Sequence, residues 1–238
     1  MTGERSAALI FAWLGAILFI SSLFVLLHAY FVTFGHVPPE GPATRPMLFD
    51  VVLFSVFALH HSVFARSAVK LWMTRLVSSV LERSVYTWIA SLLLIAVILL
   101  WRPVPGQLYE FRGVWAAPFF AIQCIGLLLT VRGSSALGIL DLAGVRQVRA
   151  AGDSGQAHIA LVTTGLYGFV RHPLYFSWLL VVFGTPHMTM TRLTFAVVSS
   201  AYLGLAIPFE ERGLIRVFGD EYRRYQRQVR WRMLPGVY

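Results

Sequence analysis

Ala7–Thr33 reads AALIFAWLGAILFISSLFVLLHAYFVT, without one Asp, Glu, Lys or Arg. A bilayer core takes roughly 20 apolar residues in helical form, so this run is long enough to cross one. A cleavable signal has an apolar centre of only about 7–15 residues. This block continues through Phe31, so it reads as a retained membrane helix. A barrel strand would alternate apolar with polar residues, and this block does not. In lipid every backbone N–H and C=O needs an internal partner, which leaves helix as the solution.

Outward from that run the pattern repeats. Leu48–Phe64, which contains His60 and His61, then Val85–Trp101 and Trp115–Val131 are further apolar blocks. Two shorter ones, Leu174–Phe183 and Leu193–Ala206, flank Gly184-Thr185-Pro186 and read as a helical hairpin whose arms are short for full crossings. Turn-rich connections separate the blocks, at Gly35–Pro42 and Arg102–Gly106, with a longer polar segment over Arg132–His158. The chain is 57% hydrophobic and 13% charged over 238 residues, against about 45–50% apolar in soluble domains. The fold expected is all-α: a polytopic membrane helix bundle with five to six transmembrane helices, a C-terminal helical hairpin and a cytoplasmic tail. Residues 1–132 would hold four helices on the substrate side. Residues 133–238 would hold a cytoplasmic loop, the hairpin and the tail.

The net charge is +9, nearly all of it arginine. With six crossings and the N-terminus inside, sixteen of the twenty Lys and Arg residues fall on the inner side. Cytoplasmic loops attract these residues, so both termini are expected in the cytoplasm. Basic residues that flank apolar blocks point to membrane lipid as a partner rather than nucleic acid. Cys124 stands alone, so there is no disulfide framework. No spacing suggests a metal site, and no Gly-rich dinucleotide fingerprint occurs.

Three polar constellations interrupt the second half. The first runs Leu161-Val162-Thr163-Thr164-Gly165-Leu166-Tyr167-Gly168-Phe169-Val170-Arg171-His172-Pro173-Leu174-Tyr175. Pro173 suits the first turn of a helix, where a missing N–H costs nothing. The second is Glu210-Glu211-Arg212, just after Pro208. The third is Phe218-Gly219-Asp220-Glu221-Tyr222-Arg223-Arg224-Tyr225, whose tyrosines at i and i+3 share a helix face. A hairpin brings the first two clusters together. Two readings follow: a polar, aromatic-lined site at the membrane surface, or interfacial anchors with Glu210 and Glu211 paired to Arg212 or Arg216.

These motifs, in this order, resemble the isoprenylcysteine carboxyl methyltransferase and phospholipid methyltransferase superfamily. Its hallmarks are Arg-His-Pro-x-Tyr, a Glu-Glu pair and a Phe-Gly-x-x-Tyr-x-x-Tyr tail. The resemblance implies S-adenosyl-L-methionine as cofactor, held by the backbone near Leu161 and Val162 and by Tyr167, His172, Pro173, Leu174, Tyr175 and Glu210. A carboxylate such as Glu210 suits the cofactor's ammonium group, and aromatic faces suit adenine and the sulfonium cation. Arg171 would orient the cofactor carboxylate or stabilise an anionic nucleophile. Several further stretches look like those of the bacterial methanethiol S-methyltransferases within that superfamily: Ala58–Arg66, Glu82–Tyr86, Trp101–Gly106, Asp141–Gln147 and Thr185–Thr189. Against them Arg149–Ala160 looks short and Gly-rich.

The prenylcysteine enzymes carry an arginine shortly before the Glu pair, for the substrate carboxylate. Here Ala206 and Ile207 occupy that region, which suits a small neutral thiol. The implied reaction is methyl transfer to such a thiol, methanethiol giving dimethyl sulfide, in a bacterial inner membrane. His61 is either an interhelical hydrogen bond, worth about 0.6 kcal/mol, or the base that accepts the thiol proton. Two rivals stay open: a methyltransferase for another lipophilic acceptor (an isoprenylcysteine carboxylate, a phospholipid amine or another thiol), and a non-enzymatic membrane protein.

Overall fold

The computed structural model describes residues 2–64, 67–137, 144–150 and 160–238. The expected motif positions Ala65-Arg66 and Asp141-Leu142-Ala143, and nearly all of Arg149–Ala160, lie outside the described residues. The helices are α1 (Thr2–Phe31), α2 (Thr44–Phe64), α3 (Ser67–Met73), α4 (Glu82–Leu100), α5 (Ala117–Leu137), α6 (Val145–Ala150), α7 (Pro173–Phe183), α8 (Met190–Phe218) and α9 (Asp220–Gln228). Two short strands, β1 (Gln107–Glu110) and β2 (His187–Thr189), pair antiparallel.

The protein is an integral membrane helix bundle. Among the described residues five helical stretches are long and apolar enough to span a bilayer: Arg5–Gly35, Thr44–Phe64, Glu82–Leu100, Gly113–Leu137 and Met190–Phe218. Large apolar side chains such as Ile17, Phe24, Leu99 and Leu128 point outward, which is costly in water and neutral in lipid. The eleven residues of α7 reach only about 16 Å at 1.5 Å per residue, roughly half a bilayer core.

The chain forms two compact units. The first comprises Met1–Thr33, Leu53–Trp101 and Leu137–Ile159. In it α1 packs on α4: Trp88 Nε1 donates to the Phe11 carbonyl at 3.1 Å, and its ring stacks on Phe11. A Cβ at Gly15 would stand 2.8 Å from that indole nitrogen, so glycine permits the approach. Ala12 and Ala16 form a small core with Val145 and Val148 of α6.

The second unit comprises Phe34–Val52, Arg102–Ala136 and Ala160–Tyr238. Here α5 lies against α7 through Gly126, where a Cβ would meet the Ser177 carbonyl oxygen at 2.9 Å. Gln123 Nε2 donates to the Val181 carbonyl beside it at 3.0 Å. At one end of the α7–α8 hairpin the turn is longer than Gly184-Thr185-Pro186 alone suggests, because β2 extends it and pairs with β1. Thr189 caps α8 and donates to the Phe34 carbonyl, while Arg192 donates to the His187 carbonyl at 2.6 Å.

The second arm of the hairpin differs from expectation. The sequence suggests an end near Ala206, yet α8 continues through Pro208 to Phe218. Proline costs one backbone bond and crowds the carbonyl four residues back; that residue is Gly204, with open space around it. The polar residues after Pro208 stay helical because partners from other elements meet them.

Candidate active site

At the other end of the hairpin, Pro173 occupies the first turn of α7 and His172 precedes it. This position is set by the C-terminal segment. Arg171 N donates to the Trp231 carbonyl at 2.9 Å, and His172 N to the Arg232 carbonyl at 2.7 Å. The segment closes on itself, since Met233 N and Leu234 N both donate to Tyr238 O. The tail therefore holds the residues that start α7.

Glu210 and Glu211 are adjacent in sequence but face different surroundings. One residue along a helix is a rotation of about 100°. Glu211 is buried, with its side chain 4% exposed. Its Oε1 accepts from Arg171 Nε at 2.6 Å, and its Oε2 accepts from Gln226 Nε2 at 3.0 Å and lies 3.5 Å from Arg232 Nε. Arg171 is buried too; its second nitrogen donates to the carbonyls of Val229 at 2.6 Å and Arg230 at 3.1 Å. A buried charge pair is tolerated only when such bonds satisfy both partners. Of the alternative partners Arg212 and Arg216, Arg212 turns elsewhere: its Nε donates to the Pro208 carbonyl and its guanidinium covers Phe209.

Glu210 is instead open, with its side chain 45% exposed. Tyr175 Oη donates to its Oε1. His172 Nδ1 lies 3.5 Å from its Oε2, and the His172 ring stacks on Tyr175 at 5.3 Å. His172 Nε2 is buried 3.5 Å from Glu211 Oε1 without the alignment of a hydrogen bond. The result is a half-exposed carboxylate bordered by two stacked aromatic rings.

Behind it Tyr167, Tyr222, Tyr225 and Val229 form a buried cluster, flanked by Leu161, Val162 and Phe218. Tyr225 Oη donates to the Tyr167 carbonyl at 2.6 Å. Burial pushes the Tyr167 hydroxyl up to about 12. Burial also raises Tyr222, helped by the Glu211 charge, and raises Tyr225. All three stay protonated donors at neutral pH. Leu174 packs on Gly133, where a Cβ would come within 2.9 Å of it. Pro173 borders an apolar cavity of about 200 Å³ with Leu166, Phe169, Val170 and Phe176.

The second unit thus gathers Leu161, Val162, Tyr167, Arg171, His172, Pro173, Leu174, Tyr175 and Glu210. His61 belongs to the first unit, where its Nδ1 is 2.7 Å from Tyr86 Oη. Sequence reasoning missed Glu211, Gln226 and Arg232 as the ionic centre. The Glu-Glu pair was the available signal, but it does not say which carboxylate turns inward. Among the described residues no His, Cys, Asp and Glu cluster suits a metal ion.

Residues 148–216 match the isoprenylcysteine carboxyl methyltransferase family. The methanethiol S-methyltransferase of Crocosphaera subtropica is 37% identical over 185 residues, 77% of this chain and 72% of its own. Methanethiol S-methyltransferase 1 of Bradyrhizobium diazoefficiens is 32% identical over 238 residues, 96% of this chain and 84% of its own. Nurim of Bos taurus is 30% identical over 179 residues, covering 71% and 68%. No solved structure matches.

Proposed function

The chain belongs to the family of membrane methyltransferases that the methanethiol S-methyltransferases represent, and from that premise we propose that it methylates a small thiol, methanethiol, to dimethyl sulfide, with S-adenosyl-L-methionine as donor. The observation that carries the donor assignment is the open Glu210 carboxylate between His172 and Tyr175, beside a buried Glu211 that is already neutralised. The residues present fit the group: a half-exposed carboxylate for an ammonium, and stacked aromatic faces for a base and a cationic sulfur. Bound S-adenosylmethionine supplies an electrophilic methyl group on a sulfonium sulfur.

The chain's own work is positioning. Tyr175 orients Glu210, and Glu210 with His172 and Tyr175 would hold the donor. Leu161, Val162 and Tyr167 would complete its site, and Pro173 and Leu174 fix the start of α7. Arg171 acts through Glu211 and the tail carbonyls, keeping the α7 start and the tail in register. The helices of residues 1–132 serve the acceptor, and His61 belongs to that side. A thiolate is the effective nucleophile, and holding two reactants together is where much of such an enzyme's acceleration arises. Ala206 and Ile207, where the prenylcysteine enzymes place an arginine, leave no cation there for a substrate carboxylate. We place the protein in a bacterial inner membrane with both termini cytoplasmic, on the weight of arginine on one side.

The test is methyl transfer by purified protein over a panel of thiols, with headspace detection of dimethyl sulfide. Release of dimethyl sulfide from methanethiol is expected. Methylation of an isoprenylcysteine or a phospholipid amine with none of methanethiol overturns the reading.

A further inference from the structure

The outer surface of the C-terminal segment is strongly basic. In α9 the tyrosines Tyr222 and Tyr225 turn inward with Val229, while Arg223, Arg224 and Arg227, and Arg230 just beyond the helix, are exposed. Arg212 and Arg216, four residues apart near the end of α8, are exposed as well. The exposed carboxylates of this region are Glu210, Asp220 and Glu221, so positive charge is in excess. Arg223 lies 3.7 Å from Asp220 with both side chains more than half exposed; such a surface pair is weak and leaves the arginine available.

Depth follows from length. The 29 residues of α8 extend about 44 Å at 1.5 Å per residue, against roughly 30 Å for a bilayer core. The run from Met190 to Phe209 accounts for that thickness, so the polar turns from Glu210 onward, and α9 after Gly219, stand at headgroup level. A lipid-binding amphipathic helix ordinarily buries its apolar face in the bilayer. In α9 that face is spent on Tyr167 and the residues flanking it, so charge alone remains for contact with lipid. Arginines clustered beside a spanning helix suit anionic headgroups.

The same segment meets the site on its inner side. Immediately after α9 the carbonyls of Val229 and Arg230 accept from the Arg171 guanidinium at 2.6 and 3.1 Å. Those of Trp231 and Arg232 accept from the backbone N–H groups of Arg171 and His172 at 2.9 and 2.7 Å. Arg230 thus has its carbonyl on Arg171 and its side chain exposed.

We propose that the arginine face of α9 docks on an anionic lipid surface, and that this contact raises affinity for the methyl donor by ordering the segment that holds the start of α7. This rests on the donor-site reading and adds its regulation by the membrane. A ligand shifts an equilibrium only through its different affinity for two states; here lipid charge favours the docked tail, and the donor binds best where the tail is docked.

The experiment uses the full chain in nanodiscs of phosphatidylcholine, alone or with an equal share of phosphatidylglycerol, and calorimetric titration of S-adenosylmethionine. Donor affinity is expected to be roughly tenfold higher in the anionic discs, a fraction of what several basic residues gain from such a surface. The difference should vanish at about 1 M salt, where screening acts within about 3 Å. Arg223→Gln/Arg224→Gln/Arg227→Gln should bind the donor equally in both discs, at the weaker wild-type level. Its thermal midpoint in detergent should be unchanged, because these side chains are exposed. Simple enrichment of the cationic donor at a charged surface would persist in this variant, which tells the two effects apart. Hydrogen exchange at the Arg171 and His172 amides should slow in anionic discs for the wild type and not for the variant. Equal wild-type affinity in the two discs overturns the proposal, as does a gain that resists salt or a variant that keeps the full response. So does the same gain from inorganic phosphate added to neutral discs, which would make the ligand a soluble anion. Wild-type protein that binds no S-adenosylmethionine in either disc defeats the donor-site reading instead.

Discussion

Two neighbouring carboxylates, Glu210 and Glu211, have opposite duties because one helical step turns them to different neighbours. Glu211 is buried against Arg171, Gln226 and Arg232. Removing one partner of such a pair leaves an uncompensated buried charge, at a cost of about 3–5 kcal/mol. Glu211→Ala is therefore expected to lower the thermal midpoint in detergent sharply. Arg171→Ala should do the same, and the double variant should lose much less than the sum, because the two residues share one network. A wild-type midpoint in Glu211→Ala would refute this. Glu210 is half exposed and contributes little to folding, so Glu210→Ala should leave the midpoint nearly unchanged. Its effect should fall on the donor: loss of a charge-assisted contact worth about 1.5–3 kcal/mol weakens S-adenosylmethionine binding roughly ten- to a hundredfold, measured by calorimetry.

Among the elements, α7 is too short to span and depends on what it packs against. Its contact with α5 runs through Gly126, where a side chain would strike the Ser177 carbonyl. Backbone cannot yield as a flexible side chain can, so Gly126→Val is expected to cost about 1–3 kcal/mol by overpacking. Donor affinity should fall with it, because α7 begins with His172, Pro173 and Tyr175. Unfolding and donor titration on one sample check both. The tail is the second such element. Its main-chain carbonyls at Trp231 and Arg232 hold the residues before α7, and Tyr222 and Tyr225 hold the tail to Tyr167.

For the whole molecule, the tyrosine cluster sets an alkaline limit. Burial raises Tyr167 to about 12 and raises Tyr222 and Tyr225, against about 10 for an unfolded tyrosine. Between those values the folded state holds protons that the unfolded state has lost, so stability falls as pH rises. The contribution is complete below about pH 10 and is lost as pH climbs through the folded values. Loss of donor binding should accompany the rise in tyrosinate absorbance above that point, and Tyr225→Phe should shift the onset downward by removing the bond to the Tyr167 carbonyl. Much of this was legible in the sequence. Apolar runs without charge leave a chain no option but helices in lipid, since backbone groups there must pair internally; this settled the class of fold and the blocks. The ordered Arg-His-Pro-x-Tyr, Glu-Glu and Tyr-x-x-Tyr motifs marked the region of the site. Residue types alone did not say that α8 passes through Pro208, that Glu211 rather than Glu210 turns inward, or that Arg171 meets both Glu211 and the tail carbonyls. Each of these depends on helix phase and on partners distant in the chain, and a buried charge or imidazole acquires its role only from the groups that folding brings to meet it.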